Sequence, residues 1–560
     1  MNQLPQELVD RISSYLSRDD LKNTLLLSHA FRFPAEKYSG AFTSFDLKEK
    51  TTDKFIDTFS SHRLQYLRDV KFEIILPSQD EEDRDNAEQL SKHDQSFTQQ
   101  IMFLFKTVKT VEERAGPNNG PGTVRLEIGS PRRKISWGTS LSIHHHLSWR
   151  VHLLEPDALP SLESVRSLGV GGEWYRESSG QDFNWGHVKM DYRVMVDLVV
   201  KLPNLDYWGC QIGGDEWSPK TEQEAAKYFT QDWAGPRRDT RQDFAKALMA
   251  ARLPESLRRV RLDFLFSMHD ITNIDHLTAQ PDMVSPAGSD LFSTGLNHLS
   301  HHLRRLHLRV VADETLFMPK DNCTSSWPNL ESFVVMFHMV SPSGQWYFVG
   351  PNGEGRNTAA TKVTDASYPP LKTTDYDRDM DHIITFEGDR RSEGIVQNFH
   401  VRVVPNETTL RPFLAAFAKA ASNMRALQEA VLWCPLSWEP GVDEDGEENI
   451  PMPDCVNVGY EPSSLAWGVN YVAPGEPRYN EEPDNFSVQV PHLWWKVGTW
   501  RPDAELHELF RQIGRVPWGD GLQERWDDVL NGERYVDREH FEECVQEKVD
   551  RSYRWERQQS

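Results

Sequence analysis

Three kinds of stretch carry residue types at spacings from which chemistry could be built. "GVGGEW" (169–174) has the glycines of a phosphate-cradling loop. Trp174 stands where a dinucleotide fingerprint needs its third glycine, and no helical pattern follows. A tight turn after a strand accounts for Gly171 and Gly172. "DEDGEEN" offers the oxygens of a calcium loop, but counted from Asp443 its glycine falls at position 4 instead of 6. It reads as a solvated acidic loop. His144, His145 and His146 are consecutive, so their side chains diverge. His298, His301 and His302 bring imidazoles onto one helical face, yet no HExxH or Cys/His finger supports a metal there. No GxSxG elbow is present. No catalytic residue, metal or cofactor is expected.

Binding chemistry is better represented. Four of the 18 tryptophans, Trp174, Trp185, Trp208 and Trp217, fall near the ends of neighbouring strand candidates. Aromatics placed there can anchor a protein substrate; the other reading is that they fill an irregular core. "PRRK" (131–134) and "LRRVRL" could pair with phosphate through arginine, or salt-bridge on the surface.

The elements that must carry these residues start with "LPQELVDRISSYLSRDDLKNTLLLSHAF", Leu4 to Phe31. Leu8, Ile12, Tyr15 and Leu16 form one helical stripe. Pro5 sits where a first turn tolerates it, and Ser17 is placed to cap a second helix with Asp20 as its N3 carboxylate. Leu21, Leu25 and Ser28 mark one face of that helix, widened by Leu26, Leu27 and Phe31. Neither helix is long enough to stand alone.

Beyond this unit short helical and strand patterns alternate, as in "DKFIDTFSSHRL" before "LRDVKFEIIL" and "SDLFSTGLNHLSHHL" before "LRRLHLRVV". Many junctions share a three-, then two-residue spacing: Leu202, Leu205, Trp208, Cys210; Trp327, Leu330, Phe333, Val335; Met424, Leu427, Ala430, Leu432. This is close to the L-x-x-L-x-L core of a leucine-rich repeat, with uneven starts at 159, 202, 253, 303 and 327. "SLGVGGEW" and "GCQIGGDEW" look like copies of one turn. Val165, Leu205, Val260, Leu306, Phe333 and Leu432 should point inward. Residues 77–94, 350–379 and 439–454 read as exposed, mobile loops, and the C-terminus, including "LQERWDDVL", reads as helical.

Lysine plus arginine is 62 against 85 for aspartate plus glutamate, a formal charge of −23. That argues against broad nucleic-acid or anionic-membrane binding, though not against a local basic patch. The five cysteines are scattered, with no CxxC pair, which fits a reducing compartment. No signal peptide and no run of about 18 apolar residues is seen. The expected location is cytoplasmic, nuclear or both.

The opening stretch resembles the F-box, the helical motif that docks proteins onto the Skp-family adaptor of cullin-based SCF ubiquitin ligases. Leu4-Pro5, Glu7-Leu8, Ile12, Tyr15-Leu16, Asp20-Leu21, Leu26-Leu27-Ser28 and Phe31 carry the likeness. Thr24 departs from it, standing where the family often has an apolar residue; Leu25 beside it could compensate. The remainder is similar in texture to fungal F-box proteins with irregular leucine-rich-like C-terminal regions. The resemblance implies an α/β chain with an all-α F-box (1–40), a leucine-rich-repeat-like solenoid on a largely parallel sheet (41–500), and a helical cap (501–560). It implies a substrate-recognition subunit without catalysis of its own, with Leu4, Pro5, Leu8, Ile12, Tyr15, Leu16, Leu21, Leu25, Ser28 and Phe31 at the adaptor and an unidentified protein substrate on the repeats. The alternatives are an adaptor-bound protein outside any ligase, and an enzyme hidden in the α/β region.

Overall fold

The computed structural model describes residues 4–27, 29–77, 86–116, 124–134, 146, 148–171, 185–213, 228, 233–265, 271–272, 274–319, 327–380, 399–439, 450, 452–456, 465–475, 489–531, 538 and 541. Three short helices, Gln6–Ser14 (α1), Arg18–Thr24 (α2) and Arg32–Tyr38 (α3), precede a mixed α/β body built on one large, mostly parallel sheet.

The sheet has twelve strands in chain order: Ser44–Leu47 (β1), Asp69–Phe72 (β2), Val124–Ile128 (β3), Val165–Gly171 (β4), Tyr207–Gln211 (β5), Arg259–Asp263 (β6), Arg305–Val310 (β7), Ser332–Phe337 (β8), Glu429–Leu436 (β9), Leu465–Val472 (β10), His492–Lys496 (β11) and Gln523–Asp527 (β12). Pairing is parallel from β1 to β9, antiparallel through β10 and β11, and parallel again at β12.

The shared spacing sets the register. Leu168, Trp208, Val260, Leu306, Phe333 and Ala430 stand side by side across six strands, and Val170, Cys210, Leu262, Leu308, Val335 and Leu432 form the next row. A parallel pair with one face buried tolerates no slip, because a one-residue shift turns every apolar side chain to the other face. All six residues expected to point inward are buried: Val165, Leu205, Val260, Leu306, Phe333 and Leu432. The connecting helices pack on this face, Trp208 against Phe244, Phe333 against Phe417 and Trp495 against Phe510. Phe244, Phe417 and Phe510 belong to the helices Ala234–Ala250, Glu407–Ser422 and Ala504–Arg511. Two of these helices have N-termini fixed locally: Asn406 and Asp503 accept backbone N–H groups of their first turns.

The two turns that look like copies also behave alike. Gly171 and Gly213 both adopt positive φ. At each, a Cβ would meet a carbonyl on the next strand or just past its end, Gln211 for Gly171 and Phe264 for Gly213. Only glycine fits such a place.

Three expectations change. Residues 87–94 are not loop: they open the 29-residue helix Ala87–Ala115 (α4), capped by Asn86 and anchored inward by His93 and Phe97. The helical pattern of "QSFTQQIMFLFKTVKTV" starts earlier than its apolar stripe, because its first turns are acidic and polar. "LQERWDDVL" supplies strand β12, not a helix, because Trp526 stacks on Trp495 with ring centroids 4.7 Å apart and extends the sheet past residue 500. Segment 350–379 is largely exposed but tied down. Buried Arg402 donates to the carbonyls of Phe348 and Gly355 and to the Thr358 hydroxyl, and Tyr368 hydrogen-bonds Arg238 and Asp239. Most of 439–454 lies outside the described residues.

Candidate functional site

Each short N-terminal helix divides its apolar residues between two faces. On α1, Val9 and Ser13 point inward, one turn apart, and Ser13 donates to the Val9 carbonyl at 2.8 Å. Leu8 and Ile12, each one position before an inward residue, are exposed, as are Leu4 ahead of the helix and Tyr15 at its end, Tyr15 by 78%. On α2, Leu21 and Thr24 are buried. Leu25, Leu26 and Leu27 come after the helix end and are exposed by 50%, 87% and 57%. Phe31, Pro34 and Ala35 complete the small interior, while Phe33 faces out.

The ten residues expected at an adaptor therefore separate. Leu4, Pro5, Leu8, Ile12, Tyr15 and Leu25 are exposed, and Leu16 is half-buried. Leu21 and Phe31 are interior and unavailable to a partner, because they are what the three helices close around. Ser28 lies outside the described residues. Thr24 takes its buried place by donating to the Leu21 carbonyl at 2.7 Å, so Leu25 does not substitute for it. Leu26 and Leu27, read as widening the second helix but not placed at the adaptor, and Phe33, not singled out, are exposed as well. Three consecutive leucines cannot all face one interior, and that was the available signal.

This face is held rigidly. Tyr38 donates to Asp10 at 2.7 Å, joining α3 to α1. Glu36, 7% exposed, receives Arg63 at 2.6 Å and meets His62 Nε2 at 2.8 Å, with Arg32 at 3.4 Å. His62 and Arg63 belong to the turn leading into β2, so this carboxylate fastens the helices to the α/β body. Burial alone would raise its pKa; the hydrogen bonds from Arg63 and His62 outweigh burial and draw it down to about 2.

The other candidates resolve differently. Trp208 is fully buried and packs on Phe244, so it is core and offers a substrate no surface. Trp174 and Trp217 lie outside the described residues, as does the side chain of Trp185. His146 is buried among Tyr228 and Trp233, and His301 bonds Asn297 within its own helix. Among the described residues no group of three or more His, Cys, Asp or Glu could hold a metal ion, and no helix is long and apolar enough to cross a membrane.

A buried chain joins His307, Ser332 and Glu429. The Ser332 hydroxyl donates to Glu429 at 3.0 Å and meets His307 Nε2 at 3.1 Å. A nucleophile relay places the imidazole between hydroxyl and carboxylate. Here the hydroxyl is in the middle, so the chain ties three strands together and does not activate the serine. Asp313, pushed up to about 7 by burial and by Asp290, is occupied in capping Thr315. A cleft of about 490 Å³ along α4 has Lys106 and Glu155 as its charged lining residues, and the hydroxyl of its Thr98 accepts the Leu154 N–H.

No protein-family model matches the chain, and no curated protein matches it.

Proposed function

We propose that the chain is the substrate-recognition subunit of an SCF-type ubiquitin ligase, docking on a Skp-family adaptor through an N-terminal F-box. On this reading the helix–strand units form an irregular leucine-rich-repeat-like solenoid that holds the protein to be ubiquitinated, and the chain performs no bond chemistry itself. The observation that carries the proposal is the exposed apolar face of Leu4, Leu8, Ile12, Tyr15, Leu25, Leu26, Leu27 and Phe33 on a unit of three short helices. Single exposed apolar residues are ordinary, but eight large ones on so small a unit favour an interaction surface.

The energetics are adequate for a specific complex. Burying a leucine-sized side chain contributes about 1.5–3 kcal/mol. Four or five such anchors offset an association cost of about 4–15 kcal/mol once rim contacts are added.

The test is affinity purification of the full chain and of Leu8→Asp/Leu26→Asp, followed by mass spectrometry. Both residues are exposed, so the variant keeps its fold and places two charges in the contact. Wild type should bring down the adaptor and a cullin, and the variant neither. If wild type captures no adaptor, or the variant captures it equally, the docking reading falls; adaptor without cullin would place the complex outside a ligase. Leu21→Asp does not serve, since it puts a charge in the interior of the helices.

A further inference from the structure

The long connections that follow β6 and β8 are joined to each other at histidines. The His276 N–H donates to the Phe399 carbonyl at 2.9 Å. Its Nδ1 accepts two more backbone N–H groups, from Val401 at 2.9 Å and Arg402 at 3.0 Å. The Arg402 guanidinium returns to the His276 carbonyl at 2.6 Å. His400 exchanges both backbone hydrogen bonds with Glu439, just past β9. His338, just past β8, accepts the Val340 N–H at its own Nδ1. The rings of His276 and His400 lie 5.0 Å apart, and Trp346 stands 5.6 Å from His276. All three histidines are buried, His276 completely.

These bonds fix the protonation state. A ring nitrogen that accepts N–H groups carries a lone pair, so the proton of His276 sits on Nε2. That nitrogen is buried and has no hydrogen-bond partner among the described residues. A second proton has only Nδ1 to occupy, where it would point at two donors and break both bonds. The charged neighbours give it no help. Arg402 faces His276, and Arg237 faces His338. The acids are Asp275, which acts on Arg402, and Glu439, 3.5 Å from His400 Nδ1 but with its side chain 63% exposed to screening water. Burial draws His400 down to about 4 and, with Arg237, His338 to about 3. His276 lies well below its ordinary value, through burial first and then through His400, Arg402 and His338.

We propose that this junction is an acid-sensitive release, in which protonation of His276 and His400 parts residues 274–280 from 399–405 and frees the strap that Arg402 holds. Arg402 is the coupling. The side chain that returns to His276 also donates to the Phe348 and Gly355 carbonyls and the Thr358 hydroxyl, so losing its seat loosens the segment that follows β8. An opened junction lets each imidazole titrate at its ordinary value of 6.5, whereas the closed one refuses the proton. The closed state is therefore fully favoured above about pH 6.5 and loses ground as pH falls toward 4. Each proton so excluded multiplies the open population about 30-fold at pH 5. The inference stands apart from the proposed function and holds whether or not the chain meets an adaptor.

The test is hydrogen–deuterium exchange of the full chain between pH 7.5 and 5, each rate corrected for the intrinsic pH dependence of amide exchange. Protection in 274–280 and 399–405 should fall by about a hundredfold or more, with 348–358 following, while β2 and β3 keep theirs. The fall should be steeper than one proton per opening. His276→Asn keeps an acceptor near the Nδ1 position and does not titrate; joined with His400→Gln it should shrink the acid response by about tenfold or more. Circular dichroism and Tm report that the variant is folded. Protection that stays constant down to pH 5, or an equal loss in β2 and β3, overturns the proposal. So does a folded variant that answers acid as wild type does. Where the variant loses protection already at pH 7.5, the wild-type slope decides: more than one proton per opening upholds the release, and one or none overturns it.

Discussion

Glu36→Gln isolates the fastening between the N-terminal helices and the body. A carboxyl drawn from 4.5 to about 2 corresponds to about 3 kcal/mol in favour of the ionised, fastened state. Arg32, His62 and Arg63 are a quarter to a half exposed, so water screens part of this and about 2 kcal/mol is the working figure. Glutamine keeps the shape, loses the charge and points an amide N–H at a cation. Hydrogen–deuterium exchange should show protection in α1, α2 and α3 falling about thirtyfold, while β7 and β8 stay at wild-type protection. Acid should reproduce the effect in wild type. Glu36 titrates lower in the fold than in the unfolded chain, so its contribution is complete above about pH 4.5 and is lost as pH falls through about 2. Unchanged exchange in the three helices, or an equal loss across the whole sheet, refutes the reasoning.

Two further substitutions probe the body. Arg402→Met leaves the carbonyls of His276, Phe348 and Gly355 without this donor, costing about 3 kcal/mol, and trypsin should then cut within 350–379 faster than in wild type. Gly171→Ala drives a methyl into the Gln211 carbonyl at a φ of 78° and should cost about 2–4 kcal/mol in thermal unfolding, whereas Gly40→Ala, at a φ of 68° with open space around it, should cost about 1 kcal/mol.

The inward rows were legible because burial repeats along the chain: the spacing Leu202, Leu205, Trp208, Cys210 marks a strand and the turn before it in one pattern. The connections between strands were less legible. Residues 87–94 read as loop because their first turns are mostly polar, although Asn86 caps a helix whose first buried apolar residue is Phe97. "LQERWDDVL" read as helix because its single tryptophan leaves both periods open; Trp526 becomes a strand residue through Trp495, 31 positions upstream. At the N-terminus, composition indicated more apolar side chains than two short helices can bury, but not which. Val9, Leu21 and Phe31 could be sorted from Leu8, Leu26 and Phe33 only by packing.

The outward face was the least legible part, and the register itself is the reason. In a parallel sheet whose strands step across in chain order, whatever places Leu306 beside Val260 also places Arg305 beside Arg259 and His307 beside Arg261. Those arginines are separated by more than forty residues and by a helix, so a window moved along the chain meets them one or two at a time, among acids that outnumber them. Net charge is an average over the surface, whereas a partner meets the field of one face. The burial constraint that makes the leucine rows fall into line therefore assembles the cationic rows behind them without any local signature. The acidic total and these arginine rows are compatible for that reason: the total sums over the whole chain, while the register sets Arg259 and Arg305 side by side on neighbouring strands.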